Sequence, residues 1–190
     1  MPNTAPNRII LGSGKIYATV FSGATIPEDA TIETEANRLG HVKGGATLEY
    51  APEFYVAKDD LGQVQKSRLV EEEVKLKTGI MTLNGNNIAK LASTARVDET
   101  KAGKRTLKIG GAGNDNGTKY LIRFLHEDSE DGNIRVTIVG RNEAGFSLAF
   151  AKDAETVVDA EFTAYPNDSE GTLVIYTEDD TSVTGTSSGS

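Results

Sequence analysis

The chain has 190 residues, 37% of them hydrophobic and 25% charged, which suits one domain of ordinary size with extensions. Its 28 acidic residues outnumber 20 basic ones and give a net charge of −8. This argues against a generic nucleic-acid binder, because such proteins neutralise phosphates with lysine and arginine. With no cysteine, disulfide frameworks, thiolate metal sites and cysteine nucleophiles are all excluded.

Other candidates for catalysis or metal binding are weak. The two histidines, His41 and His126, stand 85 positions apart, and the acidic turns lack the spacing of an EF-hand. Residues 12–15 (GSGK) suggest a phosphate loop, but Ile16 follows where that motif needs serine or threonine. We therefore predict no enzymatic activity, no cofactor and no metal site.

The amino end has no cationic segment followed by an apolar stretch, and no apolar run approaches the ~18 residues that cross a bilayer. We expect a soluble protein that is made in the cytoplasm and does not insert into membranes.

The first elements in chain order are an N-terminal arm over residues 1–14 and a strand over 15–21. An acidic stretch at 27–36 is predicted to be extended. The three glycines between 40 and 45 predict a turn that leads into the first long strand.

A long β-hairpin is predicted next. Over residues 46–56, apolar side chains alternate with polar ones, which is typical of a strand with one buried face, and 63–78 repeats the pattern. Residues 58–62 (KDDLG) form the turn between them. Because alternation places the carboxylates opposite the apolar side chains, we expect the apolar face to turn toward the domain core.

The remaining segments predict one short helix and several more strands. Residues 84–93 place apolar side chains at helical spacing behind an asparagine cap. The expected strands are 106–109, 120–126, 134–139, 146–151, 156–165 and 172–176. The fold class is therefore mainly β: an antiparallel β-sandwich or half-barrel over residues 15–178, with one flanking helix, extended terminal arms and a flexible tail over 179–190.

Residues 39–50 (LGHVKGGATLEY), followed by a polar hairpin, the segment 71–77 (EEEVKLK) and a short helix after Leu83 and Asn84, resemble the major tail proteins of long-tailed bacteriophages. The similar region runs from about Lys15 to Tyr176. The resemblance implies a structural virion protein that assembles into hexameric rings, stacked as a hollow tail tube through which DNA passes.

That resemblance also implies partners and a location. The chain would bind copies of itself and the tape measure, tail tip and terminator proteins, with DNA as a cargo that does not stick. It would be made in the host bacterial cytoplasm and end in the virion tail. Acidic side chains facing the bore would repel phosphates.

Three sets of residues are the candidate functional positions. The lumen-lining candidates are Glu49, Glu53, Glu71 and Glu73. The candidates for contact between rings are Lys58, Asp59, Asp60, Leu61 and Gly62. The candidates for the turn leading into the long strand are Gly40, Gly44 and Gly45.

Two other functions remain open. A carbohydrate-binding or adhesin-like β-sandwich would need exposed aromatic rings, and the chain has twelve phenylalanines and tyrosines but no tryptophan. A small hydrolase on a β-scaffold is disfavoured by the scarcity of histidine.

Overall fold

The computed structural model describes residues 12–23 and 25–183. The predicted N-terminal arm and C-terminal tail therefore lie largely outside the described residues. The nine strands are β1 (Lys15–Val20), β2 (Arg38–Lys58), β3 (Gln65–Ile80), β4 (Arg96–Asp98), β5 (Thr106–Lys108), β6 (Tyr120–His126), β7 (Ile134–Asn142), β8 (Val158–Tyr165) and β9 (Val174–Glu178). Two short α-helices are α1 (Asp29–Ile32) and α2 (Gly85–Ala89), and short 3-10 turns span Glu35–Asn37 and Ala112–Asn114.

Six strands pair in an antiparallel ring that we call the barrel. Strand β1 pairs with β2, β2 with β3, β3 with β8, β8 with β7, β7 with β6, and β6 again with β1. Strand β9 adds to the first half of β7, while β4 and β5 form a separate two-stranded hairpin. The predicted mainly β, antiparallel fold class is confirmed.

The core lies inside this ring. It contains Ile16 of β1, Leu76 of β3, Ile122 of β6 and Phe162 of β8, each no more than 1% exposed. Period-two alternation explains this arrangement, because every second side chain of a strand points to the same face. Burial of these side chains supplies the main driving force for folding the barrel.

A second cluster lies on the outer face of β1 and β6. There Tyr17 and Leu121 pack against Ile32 of α1. The buried Arg123 of β6 pairs with Asp29 and Glu33 on or next to α1, which satisfies the guanidinium where burial would otherwise be costly.

Two secondary-structure predictions were wrong. Residues 27–36, expected to be extended, contain α1 and a 3-10 turn, and the acidic Asp29 in the first turn of α1 favours a helix start there. Residues 146–151 alternate like a strand but form none, because no described strand pairs with them. The helix expected after the second long strand is present as α2, with the Asn84 side chain accepting from the Asn87 amide at 2.9 Å.

Candidate assembly surface

The hairpin of β2 and β3 extends far beyond the barrel. Every residue from 47 to 73 is exposed, on both faces of the two strands, and we call this segment the projecting hairpin. At about 3.3 Å per residue, its twelve-residue β2 portion reaches about 40 Å.

One face of the projecting hairpin is apolar. It carries Tyr50 and Phe54, each 55% exposed, Val56 at 42%, and Leu69, which lies opposite Phe54. The expectation that this apolar face turns toward the core is wrong for the projecting part. The same face is buried only nearer the barrel, at Val74 and beyond, because the barrel ends there.

The apolar side chains are concentrated in this segment. Of the seventeen large hydrophobic residues exposed in the described chain, nine belong to the projecting hairpin: Leu48, Tyr50, Phe54, Tyr55, Val56, Leu61, Val64, Leu69 and Val70. Scattered apolar residues are normal on a protein surface, but a contiguous apolar patch marks an interaction site or an aggregation hazard.

The opposite face holds the four predicted lumen residues. The pairing register places Glu49 opposite Lys75, Ala51 opposite Glu73, and Glu53 opposite Glu71, so the four carboxylates share one face. Their lining of a lumen stays a prediction.

Two of these four carboxylates form ion pairs with lysines, and the other two do not. Lys77 Nζ lies 2.8 Å from Glu49, and Lys75 Nζ lies 2.8 Å from Glu73. These hydrogen bonds raise the pKa of each lysine above its ordinary value. Glu53 and Glu71 lie farther out and have no cation within ion-pair distance among the described residues.

The predicted inter-ring residues form the tip. Lys58 is the last residue of β2 and pairs with Gln65, so the predicted turn is confirmed only for residues 59–62. The Asp59 side chain holds this turn, because its carboxylate accepts from the Val64 backbone amide at 2.7 Å. Leu61 is 79% exposed and Val64 is 70% exposed. The tip packs on no other element of the described chain, and its contact with an adjacent ring stays a prediction.

The glycine prediction was wrong, since Gly40, Gly44 and Gly45 lie inside β2 and do not form a turn before it. A Cβ at Gly40 would lie 2.5 Å from Cγ2 of Ile80, so glycine is needed there for close packing. Gly44 and Gly45 have no partners in the register, have φ of +81° and +76°, and form a bulge of two residues. Glycine pairs signal a bulge as readily as a turn.

A cavity of about 720 Å³ opens beside this bulge at the base of the projecting hairpin. Its lining includes Gly45, Lys77, Phe146 and Glu161. Lys77 is within 3.4 Å of Glu161, and Lys43 of the same lining pairs with Glu155, so both lysines at this cavity already have acidic partners.

Within residues 12–23 and 25–183, no three His, Asp or Glu side chains cluster closely enough to hold a metal ion. No helix in the same part of the chain is long and apolar enough to span a membrane. No protein-family model matches the chain, and no curated protein sequence matches it.

Proposed function

We propose that this protein is a structural subunit that assembles with copies of itself through the projecting hairpin into stacked rings. The observation that carries the proposal is the exposed apolar face of that hairpin, which lies within a run of 27 consecutive exposed residues in a single chain. Holding so much apolar surface in water is unfavourable, so the free energy falls when another surface covers the hairpin.

Backbone groups support the same conclusion. Over residues 47–58, β2 pairs with β3 on one edge, while its described partner on the other edge, β1, ends its pairing at His41. Strand β3 likewise pairs with β8 only from Lys75 onward. Two long open edges can template pairing with another chain, and an identical copy offers matching edges.

Ring formation follows from the nature of such a contact. If one edge of a hairpin meets the other edge in the next copy, the interface is heterologous, and a heterologous interface closes into a ring when the rotation permits. Stacking of rings then gives a hollow tube. We propose that this tube is the tail tube of a long-tailed bacteriophage, with DNA as its cargo.

Charge supports the DNA-conduit role. The subunit carries −8, and acidic side chains facing the bore would weaken contact with phosphates, as a passage for DNA requires. The predicted lumen residues Glu49, Glu53, Glu71 and Glu73 share one face of the projecting hairpin, and those that neighbouring copies leave uncovered would face the bore. Tape measure, tail tip and terminator proteins are the further partners of this proposal.

The first test is whether the purified protein assembles as its concentration rises, followed by size-exclusion chromatography and negative-stain electron microscopy. We expect rings or tubes from the wild type. A strictly monomeric protein at high concentration would contradict the proposal and favour the carbohydrate-binding alternative.

A matched pair of variants tests the surface itself. Tyr50→Ser combined with Phe54→Ser should abolish assembly while leaving the melting temperature of the monomer nearly unchanged, because each residue is already more than half exposed to water. Phe150→Ser, at a ring that is 86% exposed outside the projecting hairpin, is the control and should assemble normally. Equal loss of assembly in both variants would show that the projecting hairpin has no special role in assembly.

A further inference from the structure

The acidic chain carries one strongly basic element. Residues 96–108, which comprise β4, β5 and their connecting loop, contain five lysines and arginines against two acidic residues, and we call this segment the basic hairpin. Its net charge is +3, whereas the projecting hairpin has seven acidic residues against three basic ones. The two elements therefore carry opposite charge, +3 and −4.

Both acidic residues of the basic hairpin form ion pairs with basic residues of the same hairpin. Lys108 Nζ lies 3.0 Å from Asp98, and Arg105 pairs with Glu99. The loop lysines Lys101 and Lys104 are exposed, and neither forms an ion pair within the described chain. Its excess positive charge is thus directed to solvent.

The projecting hairpin shows the converse imbalance. Glu53 and Glu71 lie directly opposite each other in the pairing register, an arrangement that is destabilising for like charges. Glu72 lies on the other face, where its carboxylate accepts a hydrogen bond from the Tyr50 hydroxyl at 2.7 Å. A cationic surface placed over Glu53 and Glu71 would relieve their repulsion.

We propose that the basic hairpin of one copy docks on the Glu53 and Glu71 face of the projecting hairpin of a second copy. This inference rests on the proposed self-assembly and adds the contact that selects which copies meet and in what register. No ion pair joins the two elements within residues 12–23 and 25–183 of one chain, so each is available to a neighbour.

Two features favour a second copy over DNA as the partner. Each copy carries one surface of each sign, so a repeated contact satisfies every copy, as a heterologous interface requires. Val97 and Ile109, which are 39% and 49% exposed at the basic hairpin, add apolar contacts that suit a protein surface better than a phosphate backbone.

Charge reversal tests the contact. The first double variant is Lys101→Glu with Lys104→Glu, and the second is Glu53→Lys with Glu71→Lys. We expect each to raise the concentration needed for assembly about tenfold, because each copy loses partly buried charge pairs at the contact. The chain carrying all four changes restores the complementarity and should assemble near the wild-type concentration. An equimolar mixture of the two double variants should also co-assemble.

Controls separate this contact from general charge effects. Lys152→Glu alters an exposed lysine outside both surfaces and should leave assembly unchanged. Melting temperatures of the monomers verify that each variant is folded, and light scattering and electron microscopy measure assembly.

The inference is overturned if the variant with all four changes assembles no better than the double variant that assembles less readily. It is equally overturned if neither double variant changes assembly. It is also overturned if the lysine double variant loses binding to a DNA duplex while it assembles normally. Wild-type protein that never assembles would overturn both this contact and the proposed function, whereas normal assembly of every variant would overturn this contact alone.

Discussion

The barrel and the projecting hairpin are built from the same two strands, yet they differ in what surrounds them. In β3, Val74 and Leu76 are 1% exposed inside the barrel, whereas Leu69 and Val70 on the projecting part are 38% and 56% exposed. Leu69 lies on the same face as Val74, beyond a register shift that leaves Val70 without a partner. What changes is the presence of a second layer, which the barrel supplies and the isolated hairpin lacks.

The barrel therefore has the structure of a stable monomer, and we propose the projecting hairpin as one half of an interface. In the first region, apolar burial is complete within one chain. In the second, the apolar groups and the free strand edges have no partner among the described residues. Perturbations of the two regions should accordingly separate stability from assembly.

The largest expected effect is on the stability of the barrel. Phe162→Ala removes a fully buried ring and should lower the free energy of unfolding by about 3–5 kcal/mol. Phe54→Ala removes a phenylalanine ring from a residue that is 55% exposed, and should change the free energy of unfolding by less than about 0.5 kcal/mol. Urea denaturation of the dilute monomer measures both. Similar losses of unfolding free energy in the two variants would contradict the view that the barrel, and not the projecting hairpin, determines stability.

A smaller effect is expected from glycines at the boundary between the regions. Gly40→Ala places a Cβ 2.5 Å from Ile80 and 2.8 Å from the Thr82 carbonyl oxygen, and should cost about 1–3 kcal/mol. Gly44→Ala meets open space and should cost about 1 kcal/mol, from its positive φ alone.

The same denaturation experiment compares the two glycine variants. If Gly44→Ala proves the more damaging, the bulge is packed more tightly than its surroundings indicate. If both are neutral, close packing does not explain the glycine at position 40.

The smallest expected effect depends on pH. The pKa values of Lys75 and Lys77 are raised by their hydrogen bonds to Glu73 and Glu49. The stabilisation is therefore fully present below the unfolded pKa, about 10.4, and is lost as the pH rises through the higher folded pKa.

Arginine replacements isolate this effect. Arginine stays charged across this range, so the melting temperature of Lys75→Arg with Lys77→Arg should fall less at alkaline pH than that of the wild type. The difference between the two melting curves should open above about pH 10. Curves that stay parallel would show that these pairs contribute nothing at the boundary.

Much of the fold could be predicted from alternation and capping. Strands β1, β6 and β8 and helix α2 follow from side-chain periodicity, because a period of two or of 3.6 residues is a local property. The strand expected at 146–151 shows where that reasoning fails. Its alternation is real, but a strand exists only when a partner offers its backbone groups, and partners are non-local.

The candidate surface was only partly predictable. Alternation correctly groups Glu49, Glu53, Glu71 and Glu73 on one face, but the ion pairs with Lys75 and Lys77 depend on register. Exposure of the apolar face could not be foreseen, because a period of two identifies which residues share a face and not whether another layer covers it. The buried Arg123 was missed as well, since its partners lie about ninety positions away.

Strands β2 and β3 each continue from the barrel into the projecting hairpin as one strand, with bulges in their pairing, and this continuity has a mechanical consequence. A pull on the tip is carried along both strands into the ladders that join β2 to β1 and β3 to β8. The load then acts parallel to the strands and is shared by many hydrogen bonds at once, instead of opening them one at a time. A filament joined through such hairpins would transmit tension directly between the cores of successive subunits.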